Sequence, residues 1–142
     1  SSIYIEEVTK RYGLEEAKEL SNATTLLQRV GDNMTQETSS QGLISTLKGF
    51  SKEAEEATAI VDAANEVANT QPIDTAGIFS ALQRSASSLS AAGNTYQESM
   101  AMITAANSVV QDPDSVGTAF KTRFFLLSLC TEMCIVNTFN CR

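Results

Sequence analysis

The chain contains no histidine and no tryptophan, and only two prolines, Pro72 and Pro113, among its 142 residues. Without an imidazole there is no Ser-His-Asp or Cys-His nucleophilic site and no zinc centre that needs histidine. Basic residues are also scarce: 10 Lys and Arg stand against 17 Asp and Glu, a formal charge of −7. Such a balance supplies no counterion-release drive toward a phosphate backbone, and the basic residues are scattered, so no nucleic-acid site is expected. Three cysteines, Cys130, Cys134 and Cys141, crowd the C-terminal end without CxxC spacing. That pattern supports neither a disulfide framework nor a metal site, and a reducing compartment is the simpler expectation. No basic segment followed by an apolar stretch opens the sequence, so no signal peptide is expected.

What the sequence has in abundance is Ala, Ser, Thr, Glu, Gln and Leu, with 42% hydrophobic residues overall. Few prolines and many helix formers predict an all-α protein of about five to six helices. The first 13 residues, with Ile3, Ile5 and Val8 beside acidic neighbours, read as a frayed helix. From Leu14 to Val30 the apolar positions Leu14, Ala17, Leu20, Leu27 and Val30 keep helical spacing, and Gly31 is expected to end that helix in the left-handed conformation before a turn through Asp32 and Asn33. Thr35 is a plausible N-cap for a second helix to about Phe50, with Leu43, Ile44 and Leu47 inward, and Ser51 for a third. In that third helix Ala54, Ala57, Ile60, Val61, Ala64, Val67 and Ala68 oppose Glu55, Glu56, Asp62 and Glu66. Proline at 72 closes it. Asp74 or Thr75 caps a fourth helix burying Ile78, Leu82, Ala86 and Leu89 and stopping at Gly93. Thr95 and Glu98 have capping-box spacing ahead of a fifth helix with Met100, Ile103, Ala106 and Val110 on one face. Asp112-Pro113 opens a sixth, proline being free of an N–H that would lack a partner there.

The helices repeat. GLISTLK (42–48) lies over GIFSALQ (77–83) at an offset of 35, and EEATAIVDAANEVA (55–68) over QESMAMITAANSVV (97–110) at an offset of 42. The seven-residue difference is about two helical turns, so the second copy should have a longer first helix pointing the same way. Weaker copies appear at Glu15-Glu16-Ala17 and at Thr118-Ala119-Phe120-Lys121. The expected architecture is an array of antiparallel helical hairpins about 35 to 42 residues long, elongated or an orthogonal bundle, in which neighbours stack because one hairpin buries too little apolar surface.

The segments LISTLKGFSKEAEEATAIVDAANEVANTQPID (43–74) and IFSALQRSASSLSAAGNTYQESMAMITAANSVVQDPDSVGTAFKT (78–122) resemble the core segment of tail tape measure proteins from long-tailed phages and prophages of Gram-positive bacteria. The most specific pieces are DAANEVAN from Asp62 to Asn69, ALQRSA from Ala81 to Ala86, and the run from Gln111 to Ala119; the likeness covers roughly 14–122. The resemblance implies a non-enzymatic structural protein of the virion tail, in the host cytoplasm during assembly, whose length sets tail length and which leaves the tube as DNA is ejected. It implies copies of itself, tail tube subunits and tail assembly chaperones as partners, and no cofactor. Even wholly helical the chain would span roughly 210 Å at about 1.5 Å per residue, so it resembles one module of a longer ruler.

Three segments are therefore expected: an N-terminal piece (1–13), a tape-measure-like helical repeat module (14–122) and an apolar tail with all three cysteines (123–142). Three readings of the tail compete. A membrane span is disfavoured, since the apolar stretch 124–136 falls short of roughly 17 residues and contains Glu132. A core or partner-binding helix would place Phe124, Leu127, Cys130 or Thr131, and Cys134 on one face. The preferred expectation is a shifted reading frame near Thr122, whose exposed apolar surface would favour aggregation or dimerisation.

No catalytic, cofactor-binding or metal-binding residue is assigned. Glu15, Glu16 and Glu19, and Glu53, Glu55 and Glu56, fit solvated helix starts better than acid–base pairs. Met100 and Met102 fit core filling better than a binding groove, Gly117 beside Thr118 fits close helix packing better than an anion cradle, and no His or basic cluster activates the cysteines. A cell-wall hydrolase is disfavoured for want of a nucleophile, base or metal site. The alternative to a tail protein is a stand-alone bacterial helical-bundle interaction module.

Overall fold

The computed structural model describes Glu6, Thr9, Lys10 and residues 12–31 and 34–123. Within 1–13, Glu6, Thr9, Lys10 and Tyr12 are helical and Gly13, at φ 85°, breaks the helix; Ile3, Ile5 and Val8 lie outside the described residues, as do Asp32, Asn33 and all of 124–142 with its cysteines. The described chain is all-α, as the composition predicts. Helices α1 (Leu14–Val30), α2 (Gln36–Gly49), α3 (Ala57–Thr70), α4 (Thr75–Ala91) and α5 (Tyr96–Val110) are followed by α6 over 113–123, and a 3₁₀ turn, Ala54–Glu56, leads into α3.

The starts follow from side chains that satisfy the first-turn N–H groups. Thr35 Oγ1 accepts from the Thr38 N–H, and the Thr38 hydroxyl accepts from the Thr35 N–H. Thr95 and Glu98 make the corresponding reciprocal pair at 3.2 and 2.9 Å. Asp74 Oδ1 accepts from the Gly77 N–H at 2.7 Å. At α6 the Asp112 carboxylate accepts from the Asp114 N–H and the Ser115 hydroxyl, with Pro113 as the first helical residue.

Two predicted ends differ. Gly31 is extended (φ −95°, ψ 111°) instead of left-handed, with the flexible Met34 side chain lying over it. Ser51 caps nothing; it takes the left-handed conformation itself, at φ 52°. The Lys52 N–H bonds the Leu47 carbonyl (2.8 Å) and the Ser51 N–H the Lys48 carbonyl (3.3 Å), a Schellman closure. Forty-two residues on, the Asn94 and Gly93 N–H groups bond Leu89 and Ser90 in the same way around a left-handed Gly93. The repeat in sequence is thus a repeat of helix, closure and next helix. As expected, α4 is longer than α2, 17 residues against 14.

The helices stack in two rows. Gly42 meets Phe79 and Gly49 meets Ala86, contacts that advance together along both helices, so α2 and α4 run parallel. Gly77 meets Pro113 and Gly117 meets Ala81, which continues that row to α6. Helices α1, α3 and α5 form the second row, α3 packing against both others, and the rows meet where α1 packs on α2 and α4 on α3 and α5. Between them lie Leu20, Leu27, Leu43, Ile60, Ile78, Phe79, Leu82, Leu89, Met100 and Ile103, all essentially inaccessible to solvent. Several positions on the expected apolar faces are less buried: Val30, Ile44, Val67, Ala68 and Ala106 are partly covered, Leu14 is 60% exposed at the start of α1, and Val110 is 52% exposed at the end of the second row.

Candidate functional site

The most constructed feature of the described residues is the seam joining like-directed helices. A Cβ on Gly49 would fall 2.5 Å from the Ala86 Cβ and 2.9 Å from the Ser87 nitrogen; one on Gly117 would fall 2.7 Å from the Ala81 carbonyl oxygen. Main chain therefore lies against main chain, which only glycine allows. Hydroxyls share the interior by bonding within their own helix. Thr24, Thr46, Ser85 and Thr104, all buried, donate to the carbonyls of Leu20, Gly42, Ala81 and Met100 at 2.7–2.8 Å, so their burial leaves no donor unmet. At the α4–α6 seam Ser80 donates to Asp114 Oδ1, and Arg84 stands 3.3 Å from Asp114 Oδ2.

The acidic residues singled out in sequence occupy helix starts and do not converge. Glu15 and Glu16 lie in the first turn of α1, where Glu15 pairs with Lys18 at 2.9 Å, and Glu19 is exposed one turn on. Glu53 and Glu55 are exposed around the 3₁₀ turn, and Glu56 pairs with Lys52 at 3.0 Å. Among the described residues no group of three His, Cys, Asp or Glu is placed to hold a metal ion. Met100 is in the core and Met102 partly buried against it. Gly117 serves helix contact, and the Thr118 hydroxyl donates to the Asp114 carbonyl in its own helix.

The acidity of Asp112 is displaced by its neighbours. The Ser115 hydroxyl and then the Ser115 N–H hold Asp112 below its ordinary 3.8 against an opposing desolvation, with lesser help from the Asp114 N–H and the Arg84 charge. Every principal contributor there is part of a helix cap or its neighbour, so the shift reports capping and not chemistry. The concavities are shallow. One of about 300 Å³ lies between Phe50, Lys52, Glu56, Asn94, Thr95 and Tyr96, its floor formed by the edge-to-face pair of Phe50 and Tyr96 with ring centres 6.4 Å apart. It brings together an ion pair and a helix cap. Among the described residues no helix is long and apolar enough to cross a membrane.

Sequence reasoning missed Gly49 and Ala86 as a contact, and Arg84 with Asp114 as a pair. The signal that could have found the seam was present: Gly42 and Gly77, matched in the repeat, both face the next helix of their row.

An all-α stack of repeated helices, held by glycine seams, is the architecture of a repeat protein. Residues 8–129 match the family of phage-related minor tail proteins, and the chain belongs to that family. The match covers most of the chain and gives it a structural role in the phage tail, with tail components as partners. No curated protein and no solved structure matches it.

Proposed function

We propose that this chain is a module of a tail tape measure protein, which helps to template tail tube assembly and length and acts without catalysis. The observation that carries the proposal is the tandem repeat: helix, closure and next helix recur at 42 residues, with the glycine seam running through the row. A repeat of this kind lengthens by whole units without disturbing its neighbours, as a ruler requires. The tape-measure-like segments 43–74 and 78–122 lie inside the family match. On this reading residues 14–122 form the repeat module. Its partners are copies of itself, tail tube subunits and assembly chaperones, met in the host cytoplasm before the virion tail is complete.

The test is an in-frame deletion of residues 54–95, one repeat period, in the gene carried by the phage, with tails measured by electron microscopy. A ruler that lies extended as helix in the tube shortens the tail by about 60 Å, at about 1.5 Å per residue. Tails of unchanged length would assign the chain another place in the tail.

A further inference from the structure

The two copies of the second-row helix carry matched sequences with unequal burial. In α3, Ile60 and Ala64 are wholly buried and Ala63, Val67 and Ala68 partly so. Their counterparts in α5, 42 residues on, are Met102 and Ala106, only partly buried, Ala105, exposed, Val109, 85% exposed, and Val110, 52% exposed. Every one of the five positions is more open in α5. The residue types are alike, so the cause is placement: α3 has a neighbour in its row on both sides, α1 and α5, whereas α5 has α3 on one side alone among the described residues. The other end of the row is finished differently. The exposed positions of α1 include Glu15, Lys18, Glu19, Asn22, Thr25 and Arg29, a polar outer surface of the kind that caps a repeat array.

We propose that the open face of α5, centred on Val109, is a docking surface for residues 124–142 of this same chain, which would add the next helix to the second row. Three observations favour that occupant. First, the rows alternate: α2 gives way to the 3₁₀ turn and α3, and α4 to α5, each after four residues, so the chain leaving α6 is due to cross to the second row beside α5. Second, at least 19 residues follow Arg123, as many as the passage from the end of α4 at Ala91 to the end of α5 at Val110 takes. Third, the stretch 124–136 is apolar apart from Ser128, Thr131 and Glu132, and at helical spacing Phe124, Leu127, Cys130 and Cys134 share a side, matching an apolar surface with an apolar surface. The family match also runs past Arg123, to residue 129. The proposal does not depend on the tape measure reading, since it rests on the unequal burial of the two helix copies.

The cysteines supply the probe. In the full 142-residue chain, iodoacetamide alkylation followed by mass spectrometry reads Cys130 and Cys134 separately. Docking predicts that both react about tenfold or more slowly than in the urea-unfolded chain, as groups shielded in a packed element do. Val109→Asp, and independently Ala105→Glu, should return both to within about twofold of the unfolded rate while far-UV circular dichroism shows α1–α5 still helical. Three outcomes overturn the proposal. Thiols that react at the unfolded rate in the parent chain leave α5 uncovered by this segment, as a tail read out of frame would. Protection untouched by either substitution places the segment elsewhere. Protection that appears only as protein concentration rises makes a second copy the occupant.

Discussion

Replacing Gly49 by alanine tests the α2–α4 seam directly. In a helix with open space around it this change is favourable by roughly 0.5–1 kcal/mol, because glycine loses more conformational freedom on folding. Here the new methyl would stand 2.5 Å from the Ala86 Cβ, and 2.9 Å from both the Ala86 carbonyl carbon and the Ser87 nitrogen. Carbon–carbon contacts settle near 3.5–4.0 Å, so the helices must separate by about 1 Å. The two 2.9 Å neighbours are main chain, which no rotamer change can move aside. Overpacking of this kind costs about 1–3 kcal/mol, leaving a net loss of about 1–2 kcal/mol after the helix gain. Urea unfolding followed at 222 nm measures it as a lower midpoint at unchanged slope. Gly42→Ala is the internal comparison, since its nearest neighbour is the Phe79 Cβ at 3.3 Å and a shift of a few tenths of an ångström suffices. It should stay within about 1 kcal/mol of the parent. Adding Ala86→Gly to Gly49→Ala removes the shortest contact and should recover part of the loss. A Gly49→Ala protein as stable as the parent, or more so, refutes the close approach of α2 and α4.

Ser51 holds a left-handed conformation that Gly93 holds in the second copy. Ser51→Gly should therefore raise stability by about 0.5–1 kcal/mol, and Gly93→Ala should lower it by about 1–2 kcal/mol, both read from urea midpoints. Leu82, wholly buried between the rows, should cost about 2–5 kcal/mol when cut to alanine, with the higher figures expected if the helices cannot close over the cavity. The depressed pKa of Asp112 contributes stability that is present above its unfolded value and is lost as pH falls through the folded one. Carboxyl NMR titration should place Asp112 below 3.8 and move it up toward that value in Ser115→Ala, whereas an unmoved titration would show that the Ser115 hydroxyl is not its partner.

Helix starts were the most legible part of the sequence. Thr35, Asp74, Thr95 and Asp112 each carry a side-chain oxygen that accepts from an N–H group two or three residues ahead, so the interaction is local and the sequence contains both halves of it. The ends were less legible. A Schellman closure needs one residue in the left-handed conformation, and here that place falls on Ser51, a residue that sequence marks as an N-cap. Gly31 fails in the opposite sense: its backbone is extended, so the freedom at positive φ that marks glycine in a sequence goes unused there. Burial of Val110 was expected from its spacing with Met100 and Ile103, which is correct for one turn of helix; what spacing cannot contain is whether a neighbour stands beside the last turn. Packing residues announce themselves by what lies opposite, and a single chain read linearly places nothing opposite.

The interior is made largely of small residues, and that choice has a consequence for how stability is distributed. Buried alanines at 23, 57, 64, 81 and 86, with the back-bonded hydroxyls of Thr24, Thr46 and Ser85, let helices approach closely but remove little apolar area each. Large side chains concentrate where the two rows meet, so each helix depends on its neighbours in both rows for the area it buries. Stability in such an array is approximately a sum of unit and interface terms, and every internal helix has more interfaces than a terminal one. An isolated hairpin cut from it would retain its caps and closures while losing most of what makes them worth forming, because a helix of 14–17 residues is marginal in water without an apolar face to bury. The repeat therefore specifies its own continuation: local signals define each helix, and only the next copy of the same signals makes that helix stable.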